Sequence, residues 1–109
     1  MITGTIDLEV KRSFAGIVSL TGVVTIQLDS NNLSGDTSFA IETSLDKNNW
    51  DAISVSGQDY QETLSANNTF VQSFRIAPSI YFRVLFNGST TGNVAYIHTG
   101  TSEVNELQD

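Results

Sequence analysis

The sequence predicts an all-β chain, a single antiparallel β-sandwich or jelly roll of roughly eight to nine strands, on three observations. Apolar residues recur with a period of two almost from the first residue. The alternating runs are short and are broken by clusters of Gly, Asn, Asp and Ser, which accept positive φ or form side-chain turns. No stretch carries the apolar spacing of an amphipathic helix.

Taken in order, Ile2, Ile6, Leu8 and Val10 alternate with Thr3, Thr5, Asp7 and Glu9, which predicts a first strand over 2–11 with one wet face. A second is expected over 14–20 and a third over 23–28, where Val24, Ile26 and Leu28 alternate. Asp29 to Asn32 and Ser34-Gly35-Asp36 mark the next turn. Phe39, Ile41, Thr43 and Leu45 then predict a strand over 38–45, followed by one over 50–55 and a short one near 60–64. Phe70, Phe74 and Ile76 place a strand over 69–76, and Ile80, Phe82, Val84 and Phe86 one over 80–86. Pro78 sits in the turn between those two, where its missing N–H costs little. Val94, Tyr96 and His98 close the series over 93–99.

A chain of 109 residues and 11.8 kDa is one domain. It should bury roughly 65% of its unfolded surface, enough for a core without metal or disulfide, and it has no cysteine. We place the domain at residues 1–100 and an acidic tail at 101–109. Five basic against twelve acidic side chains give a net charge of −7, which argues against nucleic acid as a partner, because phosphate binding draws on clustered Lys and Arg. No apolar run approaches the roughly 20 residues of a membrane span, so no membrane partner is expected. The residues after Met1 lack the basic and apolar regions of a secretory leader.

The residues that could carry chemistry are few. His98 is the one histidine, and with no cysteine a single chain builds neither a His/Cys metal cluster nor a thiol nucleophile. None of the serines stands in a strand-turn-helix elbow, so a Ser-His-Asp arrangement is disfavoured and the chain reads as a non-enzyme without cofactor. Asp46, Asn48 and Asp51 in one turn, and Asp29, Asn31 and Asp36 in another, supply hard oxygens that calcium accepts. Neither matches the twelve-residue calcium loop, and the same residues are the ordinary choice for tight turns, so no metal is expected. Trp50, Tyr60 and Tyr81 could form a sugar-stacking platform, or could pack into the core.

Ser44-Leu45-Asp46-Lys47-Asn48-Asn49-Trp50, followed about thirty residues later by Tyr81-Phe82-Arg83, forms a Ser-x-Asp-x-x-x-Trp turn and a Tyr-x-Arg strand. Ser44 and Asp46 can bond backbone N–H groups of the turn, Asn48 and Asn49 accept tight geometry, and Trp50 is expected to re-enter the core. This signature resembles one that recurs in small β-sandwich proteins of tailed-bacteriophage particles, and it is similar to a stretch of discoidin-like carbohydrate-binding domains. The chain departs from the discoidin pattern in being shorter and in carrying Lys47 where a turn Gly is usual. The first resemblance implies a virion structural protein of decoration, head-tail or tail accessory type, made in the host cytoplasm. Its partners would be capsid or tail subunits and its own copies in a homo-oligomer, with a trimer favoured. The second implies a glycan ligand. An edge strand with Ile2, Ile6, Leu8 and Val10 on one face is expected to pack against a neighbouring subunit, its removal leaving a folded β domain, while Glu103 to Asp109 waits for a partner to order it.

Overall fold

The computed structural model describes residues 1–78 and 80–101. Its strands are β1 (Ile2–Asp7), β2 (Ser13–Ile17), β3 (Val23–Asn31), β4 (Thr37–Ser44), β5 (Asp51–Ala52), β6 (Ser54–Val55), β7 (Gln58–Asp59), β8 (Gln61–Leu64), β9 (Thr69–Arg75), β10 (Tyr81–Asn87) and β11 (Asn93–His98). They build an antiparallel β-sandwich. One sheet runs β1-β11-β3-β9 and the other β2-β10-β4, with β5 and β8 both on the far edge of β4. The β6–β7 hairpin stands apart as a two-stranded piece.

The connectivity has a simple origin in one long antiparallel ribbon. Ile2 lies opposite His98, Phe14 opposite Val84, Ile26 opposite Gln72 and Phe39 opposite Glu62. The chain thus runs out along one arm and back along the other, with β5, β6 and β7 as an excursion at the apex. Rolling that ribbon brings β11 beside β3 and β10 beside β4, which yields the jelly-roll strand order.

Alternation places the core. Along β3, Val24, Ile26, Leu28 and Ser30 are buried while the residues between them are half-buried, and along β10 Phe82, Val84 and Phe86 do the same. Phe39 and Ile41 of β4, Val94 of β11 and Leu64 of β8 complete the centre. Each fully buried aromatic or branched side chain contributes about 2–3 kcal/mol of transfer free energy.

The first strand is shorter than its sequence pattern suggests. Asp7 ends it: the N–H groups of Val10 and Lys11 both donate to the Asp7 carbonyl, and the Asp7 carboxylate accepts the Glu9 N–H at 3.0 Å. Such an aspartate-led turn competes with the sheet ladder. Ile6 and Leu8 face their own core, at 4% and 3% exposure, so they do not form the expected contact face for a neighbouring subunit. Ile2 is half-buried opposite His98, and Val10 is exposed in the turn. At the other end Thr101, which the sequence places in the tail, exchanges two backbone hydrogen bonds with Ile17 of β2 (3.0 and 2.9 Å). The remainder of the expected acidic tail lies outside the described residues.

Candidate functional site

The turn between β4 and β5 is built almost wholly from its own side chains. Ser44 Oγ accepts the N–H groups of Asp46 (3.1 Å) and Lys47 (2.8 Å) and donates to Asp46 Oδ1 at 3.0 Å. Asp46 Oδ1 in turn accepts the N–H groups of Asn48 and Asn49, both at 2.9 Å, and Oδ2 accepts the Asn49 side-chain amide at 2.8 Å. The backbone N–H groups of Asn49 and Asn48 hold the Asp46 carboxyl well below the usual carboxylate range. The tight geometry falls on Lys47, whose φ is 65°, rather than on Asn48 or Asn49.

Trp50 does not re-enter the core. Its indole N–H donates to the Lys47 carbonyl at 3.2 Å, and its ring lies under the Arg83 guanidinium, 4.4 Å from centroid to carbon. Arg83 alternates with the buried Phe82 and Val84, so the stack sits on the outer face of the second sheet. Arg83 Nε also donates to Glu42 Oε1 at 2.6 Å, directly across from it on β4. Two residues along β10 on the same face, Lys47 Nζ stands 5.1 Å over the Tyr81 ring. The two parts of the signature, far apart in sequence, therefore meet as one cation–π and ion-pair cluster.

Around that cluster the outer face is mixed, with Ser13, Ser38, Asn87, Gln61 and Thr63 toward its rim and an apolar patch beside Arg83. Ala15 and Ile17 of β2, Leu85 of β10 and Ala40 of β4 share the phase of Arg83 and are half-buried. The outer face of the other sheet differs: Thr25 bonds Ser73 (2.7 Å), Thr69 bonds Asp29 (2.6 Å) and Gln27 bonds Asp29 (2.9 Å). On the far side of the Ser44 turn, Thr43, Ser44, Leu45, Asp46, Asn49 and Ile80 line a shallow depression of about 340 Å³.

Tyr60 is not part of this surface. It packs against Phe74 edge to face, 5.0 Å between centroids, beside a groove of about 410 Å³ beneath the β6–β7 hairpin. Burial, with the Glu62 charge adding to it, pushes its hydroxyl up to about 12. The three-ring platform considered from the sequence is therefore split between two places. His98 is 1% exposed among Phe14, Phe82 and Tyr96; its Nδ1 accepts the Gly100 N–H at 3.1 Å and its Nε2 has no partner among the described residues. Among the described residues no serine or carboxylate bonds it. Asp36 accepts the Ala66 N–H of the distant β8–β9 connection at 3.1 Å, and Asp46 accepts N–H groups of its own turn, so each candidate calcium turn commits a carboxylate oxygen to backbone. Among the described residues no group of three His or acidic side chains could hold a metal ion, and no helix is long and apolar enough to cross a membrane.

Comparison with family models, with curated proteins and with solved structures finds no match for this chain. The sequence signature thus stands on its own residues. Glu42 was missed as a member of the cluster, because its only signal is a position opposite Arg83 that emerges from the strand register. Arg12 was missed as well. Its guanidinium donates to the carbonyls of Leu8 (3.2 Å), Phe86 (3.1 Å), Asn87 (2.9 Å) and Thr90 (2.9 Å), tying the first turn to the β10–β11 connection.

Proposed function

We propose that the chain is a non-enzymatic structural protein of a tailed-phage particle, attached in several copies through the outer face of its second sheet. The observation that carries this reading is the Trp50-Arg83-Glu42 cluster on the outer sheet face, beside the half-buried Ala15, Ile17, Ala40 and Leu85. Trp, Tyr and Arg held rigid beside small apolar residues are the composition of protein–protein hot spots. The particle setting rests on the resemblance of the Ser44-Asp46-Trp50 and Tyr81-Arg83 signature. The jelly-roll order agrees with it at the level of analogy, since that architecture serves viral capsid and lectin domains alike. Attachment of several copies at once multiplies a weak single contact.

A carbohydrate-binding reading is second, favoured by the half-exposed rings of Trp50 and Tyr81. Against it, each of those rings already carries a cation on one face, Arg83 on Trp50 and Lys47 on Tyr81, where a sugar would stack. Co-sedimentation with the particles encoded beside its gene separates the two. Trp50→Ala and Arg83→Ala should each weaken particle binding by about thirtyfold while leaving the circular dichroism of the β domain intact. No protein on the particles, together with glycan-array signals that vanish in Trp50→Ala, would move the assignment to the second reading.

A further inference from the structure

β9 is the longest strand with a free edge among the described residues, and its sequence does nothing to protect that edge. It is the last strand of its sheet, paired only with β3. The bonds from Ser30 N–H to the Asn68 carbonyl and from Ile76 N–H to the Gly22 carbonyl fix the ladder phase. By antiparallel alternation Phe70, Gln72 and Phe74 bond to β3, so the backbone groups of Thr69, Val71, Ser73 and Arg75 point outward. Strand edges in soluble proteins are ordinarily blunted by Pro, Lys, a bulge or an inward-pointing charge. Here residues 69–74 have none of these and Val71 is 56% exposed; the β6–β7 hairpin shares a groove with residues 72–75, yet its strands pair only with each other and leave the β9 ladder unfilled. The outward Ser73 carbonyl has only a long bond, 3.4 Å, from the side-chain amide of its neighbour Gln72.

We propose that β9 pairs with β9 of a second copy, antiparallel about a twofold axis between the two Gln72 residues. In that register Thr69 stands opposite Arg75 of the second copy and Val71 opposite Ser73 of the second copy, which satisfies the outward groups of all four residues. The charges choose the same register. Arg75 forms no ion pair among the described residues. Asp29 lies across from Thr69 on β3 and already accepts the Thr69 hydroxyl at 2.6 Å. Pairing sets Arg75 of the second copy on the other side of Thr69, two strand spacings or about 10 Å between backbones from Asp29, within reach of the two side chains. Symmetry repeats the pair at the far end.

The result is one continuous sheet through both copies, with a twofold in place of the threefold expected from the sequence. Because the axis is perpendicular to the sheet, the two Trp50 faces point the same way, as bivalent attachment requires. The pairing itself stands whatever those faces contact. Sedimentation equilibrium of the full chain tests it: the expected mass is twice the 11.8 kDa of one copy. Ser73→Pro removes an outward N–H, and Val71→Lys places a charge on the seam; each should give a monomer with an unchanged β spectrum. Asp29→Lys and Arg75→Glu should each weaken the dimer by about two- to fivefold per ion pair, and the double variant should restore it. A strict monomer at millimolar concentration, or a dimer indifferent to Val71→Lys and unrescued in the charge swap, overturns the pairing without touching the particle assay.

Discussion

Burial decides what His98 does as pH falls. Its apolar surroundings, with the N-terminal ammonium adding a smaller push, lower the imidazole from an ordinary 6.5 to about 4. The folded state therefore holds His98 neutral while the unfolded chain takes up a proton below pH 6.5. Stability from this group is complete above pH 6.5, falls as pH drops toward 4, and loses nothing further below that, for a total of about 3 kcal/mol. Asp46 acts in a lower window, because its carboxyl is depressed from 3.8 and its share is lost only below that value. Urea titrations from pH 8 to 2 should show both steps. His98→Phe should flatten the upper slope even though it strands the Gly100 N–H, and Asp46→Asn should flatten only the lower one. Equal slopes in wild type and His98→Phe between pH 6.5 and 4 would show that the ring is not held neutral.

At the scale of elements, the turns are held by polar side chains. The Ser44–Trp50 turn is shaped locally, since the hydrogen bonds of Ser44, Asp46 and the Trp50 indole reach no more than three residues, while Arg83 and Tyr81 of β10 stack on its side chains. The first turn is different: Arg12 holds the Leu8 carbonyl within it and ties it to three carbonyls of the distant segment 86–90. Arg12→Ala leaves those carbonyls without that donor and should lower stability by about 2–3 kcal/mol in chemical denaturation. Arg12→Lys should recover only part of the loss, because an ammonium cannot span the same set of acceptors. A full rescue by lysine would mean that charge, not the planar fork, is what matters. β1 shows the same dependence on a distant partner, for the Tyr96 side chain occupies the space above Gly4, its hydroxyl 2.5 Å from where a Cβ would stand.

For the whole molecule, the rolled ribbon makes the N-terminal segment part of the closure. β1 pairs with β11, and Ile6 and Leu8 plug the core between the sheets. Deleting residues 1–10 removes those two side chains, worth about 3–6 kcal/mol by transfer, from a domain whose total stability is about 5–15 kcal/mol. The truncated chain should lose its cooperative thermal transition. A folded, cooperative β domain after truncation would instead return β1 to the role of an exchangeable arm.

Strand positions and inward faces were legible in the sequence because side-chain direction alternates residue by residue, so Val24, Ile26 and Leu28 announce their face without reference to any partner. The Ser44–Trp50 turn was legible for the same reason, its hydrogen bonds being local. Pairing is another matter. The backbone groups that join strands are identical at every residue, so no pattern marked Phe14 for Val84 or Glu42 for Arg83. That choice belonged to the rolled ribbon as a whole. It set Trp50 outside over Arg83, turned Ile6 and Leu8 into core, and left β9 with its edge open, because each depends on which distant strand arrives alongside.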